Sequence, residues 1–332
     1  MGILFLTGNG DNTAKLWDIL NYKYHNFVGH KKRVVSVAAS PNGQYLLTGS
    51  EDNTAKLWDI HGKELQTFNL PDEVNSVSFS SDGNSILTGC LTGCTKLWDL
   101  TGKELQMFKQ EEEVSSAVFL PDGKSIVTAS KNGVVKHFDL FGSLIFNFNT
   151  KSVINSLSIS FDGKQLFTTN NNGQINIWDL KTGKKIQTLG KLKNKLLSVA
   201  SSIDGNLIAS GNQDGGVELN NLSNKTSIYL EGHTSKVYSL DFSPDSRFLI
   251  SASEDETTKI WNCKTGKEVA VFFDIAKVPD APITAFSDYE LSNDETKILL
   301  TTDVKRIYRH SFTATHYVWN LVTEEFTPLS EK

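Results

Sequence analysis

Hydrophobic and polar residues alternate in short runs along almost the whole chain. Between residues 34 and 70 the runs are VVSVAAS (34–40), QYLLTGS (44–50), TAKLWDI (54–60) and KELQTFNL (63–70). Alternation with a period of two puts successive side chains on opposite faces of a strand. Pro41-Asn42-Gly43, Glu51-Asp52-Asn53 and His61-Gly62 separate the runs. These residue types supply the positive φ of tight hairpin turns. The pattern predicts four short strands per unit, and no stretch of the body has convincing helical periodicity.

The unit recurs. An aromatic-acid dipeptide, or a degraded copy of it, falls at Trp17-Asp18, Trp58-Asp59, Trp98-Asp99, Phe138-Asp139, Trp178-Asp179, Asn220-Asn221, Trp261-Asn262 and Trp319-Asn320. The spacings are 41, 40, 40, 40, 42, 41 and 58 residues. A constant period near 40 residues signals a repeat architecture. A lone four-stranded sheet cannot bury both faces, and stacking such sheets radially covers each with its neighbour. The expected fold is therefore an all-β propeller of eight sequential four-stranded units. Met1 falls just before a second strand, so the first unit lacks its innermost strand. That leaves either a blade of three strands or a fragment of a longer chain. A seven-bladed ring with a displaced N-terminal hairpin is the alternative.

Residues 3–280, with Gly29-His30 and Gly232-His233 opening units and Trp-Asp closing third strands, resemble the WD40 repeat family. The resemblance implies a hydrogen-bonded network inside a blade. It carries over to His30, Ser50 (or Thr48), Asp52 and Trp58, and to His233, Ser253 (or Ser251), Asp255 and Trp261. Each bond contributes about 1 kcal/mol net. Because these residues recur at one repeat position, they read as structural rather than catalytic. Other units lack the Gly-His pair. Phe138 has no indole N–H to donate, and Asn220 loses the packing as well, which makes the sixth unit the weakest expected blade.

The last unit differs. Its extra residues, DIAKVPDAP (274–282) and VKRIYRHSFTAT (304–315), fall in connections that emerge on one face. Residues 286–321, including Tyr308-Arg309-His310-Ser311, resemble the opening strands of the dipeptidyl peptidase IV family propeller. That resemblance implies a substrate contact for Arg309. The family also needs a glutamate pair and a C-terminal hydrolase domain, and no G-x-S-x-G elbow occurs here. The expected organisation is a repeat array over 1–280 and a divergent last blade over 281–332, in one continuous propeller domain.

Composition narrows the function. The net charge of −5 is mild, and 39% hydrophobic with 21% charged residues fits a globular chain. With lysines and acids interspersed, no nucleic-acid partner is expected. No window suits a membrane span and no secretory signal is visible, so a cytoplasmic location and no membrane partner are expected. Of the three cysteines, Cys90 and Cys94 sit across a tight turn where they could be bridged or metal-bound, and the reading preferred is a spare pair of thiols. No zinc spacing or phosphate loop is present, and neither metal nor cofactor is expected.

The chain is thus expected to be a monomeric, non-enzymatic scaffold for a peptide or protein partner. Candidate contacts are Lys31, Lys32 and Arg33, Glu112 and Glu113, and Lys193 and Lys195, in connections entering first strands, together with Arg309. Contrasting charges on different blades would polarise the rim. The alternatives are the N-terminal piece of a serine peptidase and a sensor domain of a larger signalling protein.

Overall fold

Each alternating run of the repeats forms a strand, and the turns take the backbone angles their residues suggest. At the turn between second and third strands, a positive φ recurs at Asn12, Asn53, Gly93, Gly133, Gly173, Gly215 and Glu256. Glycine and asparagine tolerate that geometry, whereas Glu256 adopts it at a conformational cost.

The computed structural model describes residues 4–18, 23–190, 194–273, 288–291, 297–301, 316–320 and 325–328, with side chains over 6–17, 24–190 and 194–271. The first sheet has three antiparallel strands, Leu4–Gly8, Thr13–Asp18 and Lys23–Val28. Seven four-stranded antiparallel sheets follow, over 34–69, 74–109, 114–149, 156–189, 196–230, 237–273 and 288–328. No helix occurs among the described residues, so none is long and apolar enough to cross a membrane.

The core lies between sheets, not within them. Ala14, Leu16 and Phe27 of the first sheet pack against Val34, Leu46 and Trp58 of the second. Leu47, Ala55 and Leu57 meet Val74, Val77, Phe79 and Ile86 of the third. Further clusters join each sheet to the next as far as the seventh, where Ala209, Val217 and Leu219 meet Leu240, Phe242 and Trp261. Trp17 then packs with Ile260 and Ala270, beside Phe248, Ile250 and Val269. This contact returns the seventh sheet to the first.

The ring therefore has seven blades, blade 1 being the three-stranded sheet and blade 7 the sheet over 237–273. Of the two expected counts the seven-bladed alternative is the one observed, with the N-terminal hairpin inside the ring instead of displaced from it. The repeat length could not show this, because closure rests on a contact between opposite ends of the array. The sheet over 288–328 follows blade 7 in the chain.

Two devices bring neighbouring blades close. One is the glycine ending a second strand: a Cβ on Gly49 would stand 2.8 Å from Val77 Cγ1 and 2.9 Å from Val74 Cγ1. The other is a serine on the innermost strand. Ser36 Oγ accepts from the Val77 amide at 3.0 Å, and Ser76 Oγ accepts from the Ala117 amide at 2.9 Å. Ser76 Oγ also lies 3.2 Å from the Ala117 carbonyl, and Ser198 Oγ donates to the Val237 carbonyl at 3.1 Å.

Cys90 and Cys94 are joined by a disulfide, which corrects the expectation of free thiols. The hairpin brings their Cα atoms to 5.3 Å, inside the range a disulfide spans. Cys263 is a buried free thiol, and burial pushes its pKa up to about 12.

Trp58 is 1% exposed, so Trp58→Ala should lower the unfolding free energy by about 3 kcal/mol or more in urea titrations. Gly49→Val should cost about 1–3 kcal/mol, because the blade interface has no room for the branch. A loss below 1 kcal/mol for both would show that these contacts do not set the stability of the ring.

Candidate interaction face

Turns from second to third strands and connections from fourth to first strands emerge on one face of the ring. In blade 2 that face is organised by Asp52. Its Oδ2 accepts from His30 Nδ1 at 2.9 Å and from the Lys31 amide at 2.8 Å. Its Oδ1 accepts from the Thr54 amide at 3.0 Å and the Thr54 hydroxyl at 2.6 Å. A carboxylate at Nδ1 fixes the proton there, so His30 Nε2 accepts from the Thr48 hydroxyl at 2.7 Å. Thr48 Oγ1 in turn accepts from Trp58 Nε1 at 2.9 Å. Blade 7 repeats the relay through Asp255, His233, Ser251 and Trp261, at 2.8, 2.7 and 2.8 Å.

The central hydroxyl is thus Thr48 or Ser251, the second-named candidates, and not Ser50 or Ser253. Those serines lie two residues nearer the turn on the same strands. Ser50 Oγ donates to the Lys32 carbonyl at 3.0 Å and accepts from the Asp52 amide at 3.1 Å. Ser253 makes the same pair of bonds with Ser235 and Asp255.

Burial raises the pKa of the Asp52 carboxyl, but hydrogen bonds from Thr54, Lys31 and His30 outweigh it and bring the pKa down to about 2. Burial lowers that of His30, against the pull of Asp52. An acid, an imidazole and a hydroxyl in line have the form of a hydrolytic triad. Ser251, however, is 0% exposed and its oxygen already takes the indole proton of Trp261, so no substrate can reach it.

The other blades keep parts of the relay. Trp17, Trp98 and Trp178 donate to Thr7, Thr88 and Thr168 at 3.0, 2.9 and 2.9 Å. In blade 4, over 114–149, Phe138 has no donor and Gln110 Nε2 bonds Thr128 Oγ1 instead. In blade 6, over 196–230, Asn220 is buried in the tryptophan position. Its Nδ2 and the Ser210 hydroxyl have no hydrogen-bond partner among the described residues. Each stranded group of this kind costs about 1–3 kcal/mol.

The rim charges are more balanced than the sequence suggests. Arg33 pairs with Glu51 at 3.5 Å, and Glu113 with Lys131 and, at 3.1 Å, with Asn75. Lys236 pairs with Glu254 at 2.8 Å. Lys31, Lys32, Glu111 and Glu112 are exposed and make no ion pair among the described residues. Lys195 is half-buried beside Leu196. Lys193 and Arg309 lie outside the described residues.

Sequence reasoning passed over a lysine two residues before the tryptophan and a glutamate on the fourth strand. Lys56, Lys96 and Lys259 reach Glu64, Glu104 and Glu268 at 2.8, 2.7 and 2.6 Å. Their recurrence in the repeat was the available signal. It also passed over Phe141 and Phe161 in turns on the opposite face, which are 86% and 62% exposed. Among the described residues, no cluster of His, Cys, Asp and Glu is placed to hold a metal ion.

The IFT122 first beta-propeller family matches residues 1–229, and the WD domain, G-beta repeat, matches residues 224–262. Among curated proteins, the U3 small nucleolar RNA-associated protein 15 homolog of Xenopus laevis is 31% identical over 88 residues, 26% of this chain and 17% of that protein. Apoptotic protease-activating factor 1 of Danio rerio is 32% identical over 87 residues, 26% of this chain and 7% of that protein. WD repeat-containing protein SL1-17 of Schistosoma mansoni is 36% identical over 84 residues, 25% of this chain and 27% of that protein. The matches thus span about a quarter of the relatives' length or less.

Thr48→Ala strands both His30 and Trp58 and should lower stability by about 2 kcal/mol or more, whereas Ser210→Ala removes a stranded hydroxyl and should raise stability or leave it unchanged. The Asp52 pKa is depressed, so its contribution is complete above the ordinary carboxylate value of 3.8 and is lost as pH falls towards about 2. The lowered His30 pKa makes its contribution complete above 6.5, with a loss beginning as pH falls below that value. The stability gap between wild type and Asp52→Asn should hold at pH 7 and close between about pH 4 and about pH 2. A gap of constant size down to pH 2 would remove the charge from this account.

Proposed function

Because the chain belongs to the family of the IFT122 first β-propeller and carries WD repeats, we propose that it is a non-enzymatic scaffold holding a peptide or protein partner on the loop face and channel mouth. One observation carries the reading. Asp52 grips the Lys31 amide and the neighbouring imidazole together, so the exposed Lys31 and Lys32 project from an anchored backbone. Charged side chains on a rigid base recognise a partner without first paying for loop ordering. Glu111 and Glu112, on blade 4 of the same face, add the opposite sign and favour one orientation of a charged partner.

A second reading rests on residues 286–321, whose resemblance to the dipeptidyl peptidase IV propeller would make Arg309 a substrate contact in a peptidase part. Both family matches end before that segment. The scaffold reading has the support of the ring itself. Within it, residues 281–332 are taken as a divergent blade continuing the array.

The test compares partners captured by wild type, by Lys31→Glu with Lys32→Glu, and by Phe141→Glu with Phe161→Glu on the opposite face. A partner whose binding weakens at least about tenfold only with the lysine pair supports the reading. Loss only with the phenylalanine pair moves the binding surface to the other face.

A further inference from the structure

Blade 1 shows no strand at its inner edge among the described residues. Among the described residues, the strand Leu4–Gly8 pairs on one side only, with Thr13–Asp18. The ring still closes, through Trp17 and the second to fourth strands of blade 7. What results is a slot one strand wide at the channel wall. It lies between the innermost strand of blade 7, Val237–Phe242, and that of blade 2, Val34–Ala39.

The repeat shows how such a place is filled elsewhere. On each innermost strand, one set of side chains faces the preceding blade and the alternate set faces the following one. Leu240 and Phe242 pack back into blade 6, so Ser239 and Asp241 face the slot. Ser239 stands where Ser76 and Ser198 stand in their blades. Those two are 7% and 4% exposed and bond the next innermost strand. Ser239 is exposed and has no such bond among the described residues.

Asp241 is the more telling residue. The corresponding positions hold Ala38, Ser78, Val118, Ser158 and Ala200, none of them charged. The Asp241 carboxylate accepts one bond, from the Phe242 amide at 2.8 Å. It is exposed to solvent, and the surrounding protein still raises its pKa by partial desolvation. With no cation beside it among the described residues, this exposed carboxylate is left to pair with whatever enters the slot. The direction of approach is visible at the junction of blades 5 and 6, where Ser158 Oγ meets Ser201 Oγ of the next innermost strand at 2.9 Å. A docked strand would set the counterpart of Ser201 opposite Asp241.

We infer that the slot of blade 1 receives an extended peptide strand from a protein partner, paired to the free edge of Leu4–Gly8, with a lysine or arginine beside Asp241. Main-chain bonds to the sheet edge give such strand addition its affinity, and the side-chain site gives selectivity. The Ser239 hydroxyl takes one backbone amide of the incoming strand, as Ser76 takes that of Ala117. The inference deepens the scaffold reading and rests on it, but at a different surface from Lys31 and Lys32.

The probe is a fluorescent peptide with the sequence of residues 73–80, EVNSVSFS, carrying Phe79→Lys at the counterpart of Ser201. Its anisotropy is read against the full 332-residue chain. The expected result is saturable binding that weakens at least about tenfold with Asp241→Lys, and less with Asp241→Asn. Binding should not respond to Lys31→Glu with Lys32→Glu, so the slot and the loop face fail independently. In Ser239→Cys, the new thiol should react with a maleimide and be protected by the peptide. No saturable binding, or binding indifferent to Asp241→Lys, would overturn the inference. So would a Ser239→Cys thiol inert before peptide is added, which means another part of this chain fills the slot. A concentration-dependent dimer that protects the thiol would assign the slot to a second copy instead.

Discussion

Everything in this molecule follows from the need to cover two faces of a small sheet at once. Four short strands expose apolar side chains on both sides, and no single sheet can hide them. The cluster joining Leu47, Ala55 and Leu57 to Val74, Val77 and Phe79 is the recurring answer. Each blade contributes one face to each of two such clusters, so its fold depends on both neighbours. The glycine at position 49 and the serine at position 36 are consequences of that demand, since both let one innermost strand approach the next.

The polar relay is a second layer built on this base. Thr48 lies at its centre because it has two roles: it donates to His30 and accepts from Trp58. The relay links a buried tryptophan to the backbone of a surface loop, so packing in the core fixes what the rim presents. Where the tryptophan is absent, in blade 6, the hydroxyl of Ser210 is left without use. Substitution at one repeat position thus leaves a trace at another.

Much of this could be read from the residues. The strands, their turns and the ring were legible because alternation and period are local properties, repeated often enough to average out exceptions. The number of blades was not, because the contact of Trp17 with Ile260 and Ala270 joins distant parts of the chain and leaves no mark on spacing. The choice between Thr48 and Ser50 was open because both point to one face of their strand, and only the reach of the histidine ring separates them. The Cys90–Cys94 bridge depended on the separation of two Cα atoms, which spacing bounds without fixing. Asp241 was passed over for another reason: a single acid in an alternating strand looks like any exposed position until its neighbours are known.

The joint between Trp17 and blade 7 also bears on how the whole ring moves. The other blades are tied to one another partly by main-chain groups at the channel wall, as at Ser76 with Ala117. At this joint the described contacts are side chains of the second to fourth strands, with nothing shared at the inner rim. A hoop bound at its outside and notched at its inside is stiff against sliding yet compliant in diameter. Thermal breathing should therefore concentrate at this joint, and the bore of the channel becomes a variable that the contents of the notch set.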